Sequence, residues 1–266
     1  MEVLGFIASI AIGVSLGLIG GGGSILTVPV LVYLFRVDAV LATAYSLFIV
    51  GLTSTIGSVS YFQKGLVNVK TAIVFGIPSI LAVFATRAYI VPAIPQEVFH
   101  IGNLGVTKNL LIMVIFAILM IVASYSMIKK EKPKKAEDES SEQKFNYPLI
   151  LLEGGVVGVF TGIVGAGGGF LIIPALVVLS KLPIKEAVGT SLVIIAAKSL
   201  IGFLGEGGEP VIDWMFLGEV SAFAIVGIFI GSALSKKIDG VKLKPAFGWF
   251  VLVMGIYILI RETVFQ

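Results

Sequence analysis

Long apolar runs with short polar interruptions dominate this chain. Six of them are predicted to be membrane-crossing helices: Ala39–Tyr61, Thr71–Val91, Leu110–Ile128, Ile184–Leu204, Trp214–Ser235 and Ala246–Ile260. A helix needs roughly 20 apolar residues to cross a hydrocarbon core. Two further runs are broken by glycine. Leu4–Phe35 is cut by Gly20-Gly21-Gly22-Gly23, and Ile150–Leu179 by Gly165-Ala166-Gly167-Gly168-Gly169. Glycine loses the most backbone entropy in a helix, so both runs are expected to break there. The resulting half-helices of about 10–16 residues would measure about 15–24 Å, too short to span. New half-helices are expected to begin at about Ser24–Ile25 and Gly169–Phe170.

The two halves of the chain repeat. An offset of 145 carries Gly13, Gly17, Gly20, Gly22 and Gly23 onto Gly158, Gly162, Gly165, Gly167 and Gly168. It also carries Pro29 onto Pro174, Ser46-Leu47 onto Ser191-Leu192, Gly57 onto Gly202 and Asn68 onto Asp213. Only around Pro95–Val106 does the first half carry about nine extra residues. The predicted organisation is a first repeat at 1–128, a charged linker at 129–146 and a second repeat at 147–266.

Composition confirms the solvent. Of 266 residues, 57% are apolar and only 13% charged, against roughly 25% charged in ordinary globular chains. Mean hydropathy is +1.06, so the chain reads as an integral membrane protein with lipid around it. The N-terminus Met1-Glu2 has no basic segment before its apolar run, so this run is expected to belong to the mature fold. Absent cysteine and a single histidine, His100, exclude thiolate and His-built metal sites, haem ligation and Cys nucleophiles. No cofactor is expected. No acid pair or Ser–His arrangement supports an enzyme. The net charge of +3 is small and its basic residues flank apolar runs, which argues against nucleic-acid binding.

Charge placement chooses a topology. If each broken run crossed the membrane, the loop lysines and arginines would divide about evenly between the two sides. If each is re-entrant, three spans per repeat remain and the halves are inverted. Fourteen basic residues then share one side: Lys64, Lys70, six in the linker, Lys181, Lys185, Lys236, Lys237, Lys242 and Lys244. The other side keeps Arg36, Arg87, Lys108 and Arg261. The positive-inside rule favours the second arrangement, with the linker cytoplasmic and both termini outside. Its basic-then-acidic sequence reads as a solvated connector. The expected fold is therefore an all-α membrane protein of two inverted repeats, each a glycine-broken re-entrant hairpin plus three transmembrane helices.

The breaks carry the candidate chemistry. Non-helical backbone at membrane depth survives only when buried in protein or lining a wet cavity. Matching breaks in two repeats point to a site between them. The N-terminus of each new half-helix offers free N–H groups and the positive end of its dipole, which suits an anion. Neither break is a phosphate-binding P-loop, because no Gly-Lys-Ser/Thr follows. The candidate substrate-binding residues are Gly21, Gly22, Gly23, Ser24 and Thr27 on the first break, with Gly167, Gly168 and Gly169 on the second. Ser46, Thr190 and Ser191 lie on segments expected to meet the breaks, though membrane hydroxyls also back-bond to their own helix. Lys198 sits mid-helix among apolar neighbours, and its repeat partner is Thr53. An unpaired lysine at the bilayer centre costs roughly 2.5–3.5 kcal/mol on insertion scales, so something must compensate it. Glu153 and Glu219, one to two turns inside apolar runs, are expected at the interface, with pairing to Lys198 or proton carriage as the alternative. Arg87, near the end of its helix, is expected to snorkel outward, with substrate entry as the alternative. His100 is expected in a polar loop, and the GxxxG pair Gly227 and Gly231 at a helix contact.

The motif Gly17-Leu-Ile-Gly-Gly-Gly-Gly-Ser24 with Pro29 recurs as Gly162-Ile-Val-Gly-Ala-Gly-Gly-Gly169 with Pro174. These motifs, with Gly189-Thr-Ser-Leu192 and Val211-Ile-Asp-Trp214, resemble the sulfite exporter TauE/SafE family over nearly the whole chain. The first copy departs by carrying Ala44-Tyr45 where the second has Gly189-Thr190. The resemblance implies an inner-membrane carrier that exports small anions such as sulfite or sulfoacetate. H+ or Na+ is the candidate coupling ion, and the oligomeric state is open. A passive anion channel using the same site is the alternative reading.

Overall fold

In a computed structural model the described residues are 2–101, 104–128, 147–178, 180, 182–206, 212–235 and 240–264. The charged linker falls outside them. The first half contains α1 (Glu2–Ile19), α2 (Ser24–Pro29), α3 (Ala39–Gln63), α4 (Val69–Ala85), α5 (Val91–Ala93) and α6 (Lys108–Ile128). The second contains α7 (Tyr147–Val164), α8 (Gly169–Val178), α9 (Ile184–Leu204), α10 (Trp214–Leu234) and α11 (Gly240–Val264). Five helical stretches among the described residues are long and apolar enough to cross a membrane: Ala39–Gln63, Val69–Ala93, Lys108–Tyr125, Ile184–Leu204 and Trp214–Leu234. The sixth expected span falls within the 25-residue α11.

The internal offset is kept by the backbone. The end of α1 at Ile19 and the starts of α2, α3 and α4 lie 145 positions before the corresponding boundaries of α7, α8, α9 and α10. Local chemistry fixes these boundaries. Asn68 Oδ1 accepts from Thr71 N at 2.9 Å, and its partner Asp213 Oδ1 accepts from Phe216 N at 3.0 Å. Each satisfies an amide that the first helical turn leaves without a carbonyl. Pro29 closes α2 and is followed by the π-helical turn Val30–Leu34. A second π-helical turn, Thr86–Ile90, joins α4 to α5.

Two details depart from the sequence reading. The first arms α1 and α7 have 18 residues each, or about 27 Å, longer than expected for half-helices. The helices begin closer to their polar flanks than hydropathy suggested. The extra residues of the first half form a two-stranded antiparallel hairpin, β1 (Glu97–Ile101) with β2 (Leu104–Thr107). His100 lies in β1, paired with Gly105, rather than in an irregular loop.

The chain doubles back at the first break. The Phe6 and Phe35 rings, near the two ends of the α1–α2 hairpin, stand 5.4 Å apart. At the other end of the hairpin, a Cβ on Gly23 would lie 2.6 Å from Leu16 N of α1. In the second half Ile150 of α7 and Leu176 of α8 share one buried cluster.

Packing between the halves is reciprocal. α1 crosses α10, and α7 crosses α4, which occupy matching repeat positions. A Cβ on Gly13 would reach Ile228 N at 2.7 Å, and one on Gly17 would reach Ser232 N at 2.6 Å. On the other pair, a Cβ on Gly158 would lie 2.6 Å from Ser79 O, and one on Gly162 2.7 Å from Thr86 Cβ. Gly227 and Gly231 abut α1 at Ile10–Val14, so their GxxxG spacing marks a helix contact as expected. Backbones this close allow dispersion contacts that larger side chains would prevent. Gly227→Ala is therefore expected to lower the melting temperature of the solubilised chain. Gly218→Ala on the same helix meets nothing within 4 Å and should leave it unchanged. Equal melting curves for the two variants would contradict the close crossing.

The surface is apolar where the interior is mixed. Ile73, Ile77 and Leu81 on α4, Ile118 and Val122 on α6, and Val226 and Phe229 on α10 are exposed. Ser24, Thr27, Ser46, Ser54, Thr161, Ser191, Lys198 and Ser199 are buried. Outward apolar faces suit lipid, and inward hydroxyls suit a polar path through the protein.

Candidate functional site

The two glycine breaks touch. A Cβ on Gly21 would lie 2.7 Å from the Cα and carbonyl carbon of Gly169. This approach brings the beginning of α2 to the beginning of α8. Each break also lies on a long helix. Gly20 meets Val188 of α9, and Gly165 meets the repeat-equivalent residue, Thr43 of α3. Gly167 lies between Val50 and Ile195, another equivalent pair. Ser46 stands three residues beyond Thr43 and four before Val50, so it shares their helix face. Ser191 has the same relation to Val188 and Ile195.

The breaks differ in backbone. Gly165, Gly167 and Gly168 have φ of 70°, 62° and 69°, whereas only Gly20 at 78° is left-handed in the first break. No side chain could be added at those three second-break positions without strain. Local 3₁₀-type bonds occupy some amides of each new helix, Leu26 N to Gly23 O and Leu171 N to Gly168 O among them. Among the described residues, the amides of Ser24, Gly169 and Phe170 have no backbone acceptor. Both helix starts therefore retain N–H groups for a ligand.

Lys198 is fully buried beside the second break. A Cβ on Gly168 would lie 2.7 Å from its Nζ. Nζ donates to Thr161 Oγ1 at 3.1 Å, and Thr161 Oγ1 donates to Gly158 O at 3.2 Å. Among the described residues Lys198 makes no ion pair. Glu219 is exposed on the wall of an outer cavity of about 900 Å³, and Glu153 is half-buried. Neither glutamate pairs with Lys198, whose described partner is Thr161, and their exposure is that of interfacial residues. A short hydroxyl of α7 stands beside the amine instead. Lys198 is six residues before the end of α9, hence about 9 Å along the helix from it.

The other candidates divide into engaged and free hydroxyls. Ser24 Oγ donates to Gly21 O at 2.7 Å, and Ser191 Oγ to Val188 O at 2.8 Å. Thr190 Oγ1 accepts from Asn68 N at 2.9 Å and thereby joins the start of α4 to α9. Thr27 Oγ1 and Ser46 Oγ are buried with no partner among the described residues. Gly22 and Gly23 precede α2 within the break. Arg87, expected to reach outward, is instead buried and paired with Glu206 at 3.1 Å. The glycine at position 205 and the π turn that holds Arg87 bring the two side chains together.

Two residues of this region were not singled out from sequence. Thr161 binds Lys198, and Ser199 Oγ lies buried near Gly167 with no partner among the described residues. The repeat held the clue for Thr161. Its partner is Leu16, and the partner of Lys198 is Thr53, whose hydroxyl bonds back to Ile49 O at 2.5 Å. Both departures from two-fold equivalence fall in the second half, and they meet.

Known proteins resemble this chain over most of its length. The chain matches the family described as Sulfite exporter TauE/SafE over residues 5–258. It is 28% identical over 258 residues to a "Probable membrane transporter protein" of Xylella fastidiosa (strain 9a5c), covering 94% of this chain and 92% of that protein. It is 26% identical to "Probable membrane transporter protein YdhB" of Bacillus subtilis (strain 168), covering 93% and 96% of the two chains. Against "Probable membrane transporter protein MJ0441" of Methanocaldococcus jannaschii the identity is 27%, with 97% and 94% covered. No solved structure gives a significant match. With its family motifs at both glycine breaks and the match running through nearly all its helices, the chain belongs to the sulfite exporter TauE/SafE family of membrane transporters.

Proposed function

We infer that the chain is a secondary carrier that exports a small anion, sulfite or a related sulfur-containing organic anion, by alternating access. The observation that carries this reading is the Lys198 amine, buried beside Gly168 in the second break with no carboxylate partner among the described residues. A lone buried cation is costly, and an anion in the site neutralises it. The amides at the starts of α2 and α8 add donors without adding charge. Ser46, Thr27 and Ser199, whose hydroxyls have no partner in the described structure, supply further donors as the breaks move apart. Gly21 against Gly169 closes the space between the breaks, which favours a carrier over an open pore.

The proposed frame is two inverted repeats, 1–128 and 147–266, with the linker 129–146 cytoplasmic and both termini outside in an inner membrane. The meeting of Phe6 with Phe35 supports re-entrance of the first hairpin, and the reciprocal packing of α1 on α10 and α7 on α4 supports a two-fold relation. With three spans per repeat, such a relation inverts the halves. H+ or Na+ is the proposed coupling ion.

Function is tested by purified protein in liposomes presented with sulfite, sulfate, thiosulfate and small sulfonates. Saturable flux with counterflow of sulfite or a sulfonate is expected. Fast flux without saturation or counterflow identifies a channel, and no flux of any of these anions rejects the substrate class. Sidedness has its own test because the chain has no cysteine. Cysteine introduced at Ser140 should resist an impermeant thiol reagent in intact cells, whereas cysteine introduced next to Met1 should react. Labelling in the reverse order, or of both equally, rules out the inverted frame.

A further inference from the structure

Among the described residues two cations are wholly buried, Lys198 and Arg87. Only the first belongs to the site between the breaks. Arg87 Nη1 donates to Glu206 Oε2 at 3.1 Å. Its Nε and Nη2 are buried and have no partner among the described residues. These two nitrogens form one edge of the planar guanidinium, the side-on fork that takes two oxygens of an oxyanion. The pair joins the two halves of the chain, since Arg87 follows α4 and Glu206 follows α9.

The free edge lies on a polar line from Lys198. Thr86, whose Oγ1 is also buried and has no partner among the described residues, packs on Gly162, the residue after the Thr161 that binds Lys198. Six residues of α9, about 9 Å of helix, separate Lys198 from the end of α9, and Glu206 stands two residues beyond that end. Beyond the pair, Lys108 at the start of α6 is 7% exposed and feels the Glu206 and Asp38 carboxylates together with Arg87. Glu206, with an 11% exposed side chain, stands where the line reaches the surface.

We propose that Arg87 is a second anion station between the Lys198 site and the face at the ends of α4 and α9. Its Nε and Nη2 take two oxygens of a small oxyanion while Glu206 holds the opposite part of the guanidinium. The carboxylate has two effects. It keeps Arg87 neutralised and positioned when no anion is present, and it repels a bound anion, so occupancy is brief and release is quick. Lys198 has no such competitor and holds the anion longer. The station rests on the transport reading given above, because an anion reaches a buried edge only if it moves along this line.

Selenite, a sulfite analogue visible by its anomalous scattering, locates the station directly in crystals of the full chain. Selenium within hydrogen-bond reach of Arg87 Nε and Nη2 is expected, and none there in Arg87→Lys, which keeps a cation for Glu206 but loses the fork. Selenium beside Lys198 alone overturns the station and leaves the central site standing. Selenium beside Arg87 alone keeps the station and removes the central site, and selenium at neither removes both. A kinetic arm does not depend on crystals. In liposomes, Arg87→Lys should raise the sulfite KM about tenfold on the face next to Glu206 and leave the opposite face unchanged, with an unaltered melting temperature. Equal KM changes on both faces, or a lowered melting temperature with KM intact, identify a structural ion pair and overturn the station.

Discussion

Replacing Lys198 by alanine is expected to reduce sulfite flux in liposomes by about ten- to a hundredfold while the chain is still produced and folded. A hydrogen bond to a charged group is worth about 1.5–3 kcal/mol, and every 1.4 kcal/mol is tenfold in an equilibrium. Loss of the amine removes the only basic side chain beside the second break among the described residues. The fold should tolerate the change because Lys198 has a single hydrogen-bond partner, Thr161. A membrane-embedded amine without a counter-charge also opposes insertion by a few kcal/mol. Lys198→Met makes the separation cleaner, since it fills the same space without charge. Its melting temperature should equal or exceed that of the parent, and its flux should match Lys198→Ala. Wild-type flux in both variants would remove Lys198 from the site; a collapse of folded yield in both would make it a structural residue.

The second large effect is expected at the contact between the breaks. In Gly169→Ala the new methyl would press on the Gly21 backbone, with Gly21 O at 2.7 Å and Ile195 Cδ1 at 2.6 Å. The isoleucine can turn away, but the backbone of the opposite break cannot. Overpacking of this kind costs about 1–3 kcal/mol, and here it forces apart the two helix starts that would share an anion. Flux is expected to fall at least tenfold, with a lower melting temperature. Gly155→Ala is the control, since its methyl meets nothing within 4 Å, and it should behave as the parent. If Gly169→Ala also behaves as the parent, the breaks do not approach as closely during transport as they do here, and the shared site fails with that contact.

Much of this was legible because membrane solvent simplifies the code. A hydrocarbon environment demands long apolar helices with satisfied backbones, so hydropathy and glycine runs locate most element ends within a few residues. The repeat added register: the helix starts at Ser24, Ala39 and Val69 recur at Gly169, Ile184 and Trp214. The β1–β2 hairpin was not legible, because Glu97–Thr107 has no repeat partner and carries too few residues for an alternating pattern to stand out. Pairing of Glu153 or Glu219 with Lys198 was open as an alternative to an interfacial place, because charge alone does not choose between them. A charge pairing needs the two helix faces to meet, and linear spacing holds no information about which faces do.

Sequence by itself determined the membrane class, the duplication, both breaks and the presence of one cation that needed an explanation. Each follows from a one-dimensional cost, either apolar surface against water, glycine in a helix or charge in lipid. Only the tertiary structure decided what lies beside what: Gly21 on Gly169, Lys198 on Thr161 rather than a carboxylate, and Arg87 on Glu206 with one edge left free. These contacts join residues distant in the chain through helix crossings set by close glycine packing. Their energies depend on distances of a few ångströms that no residue pattern encodes.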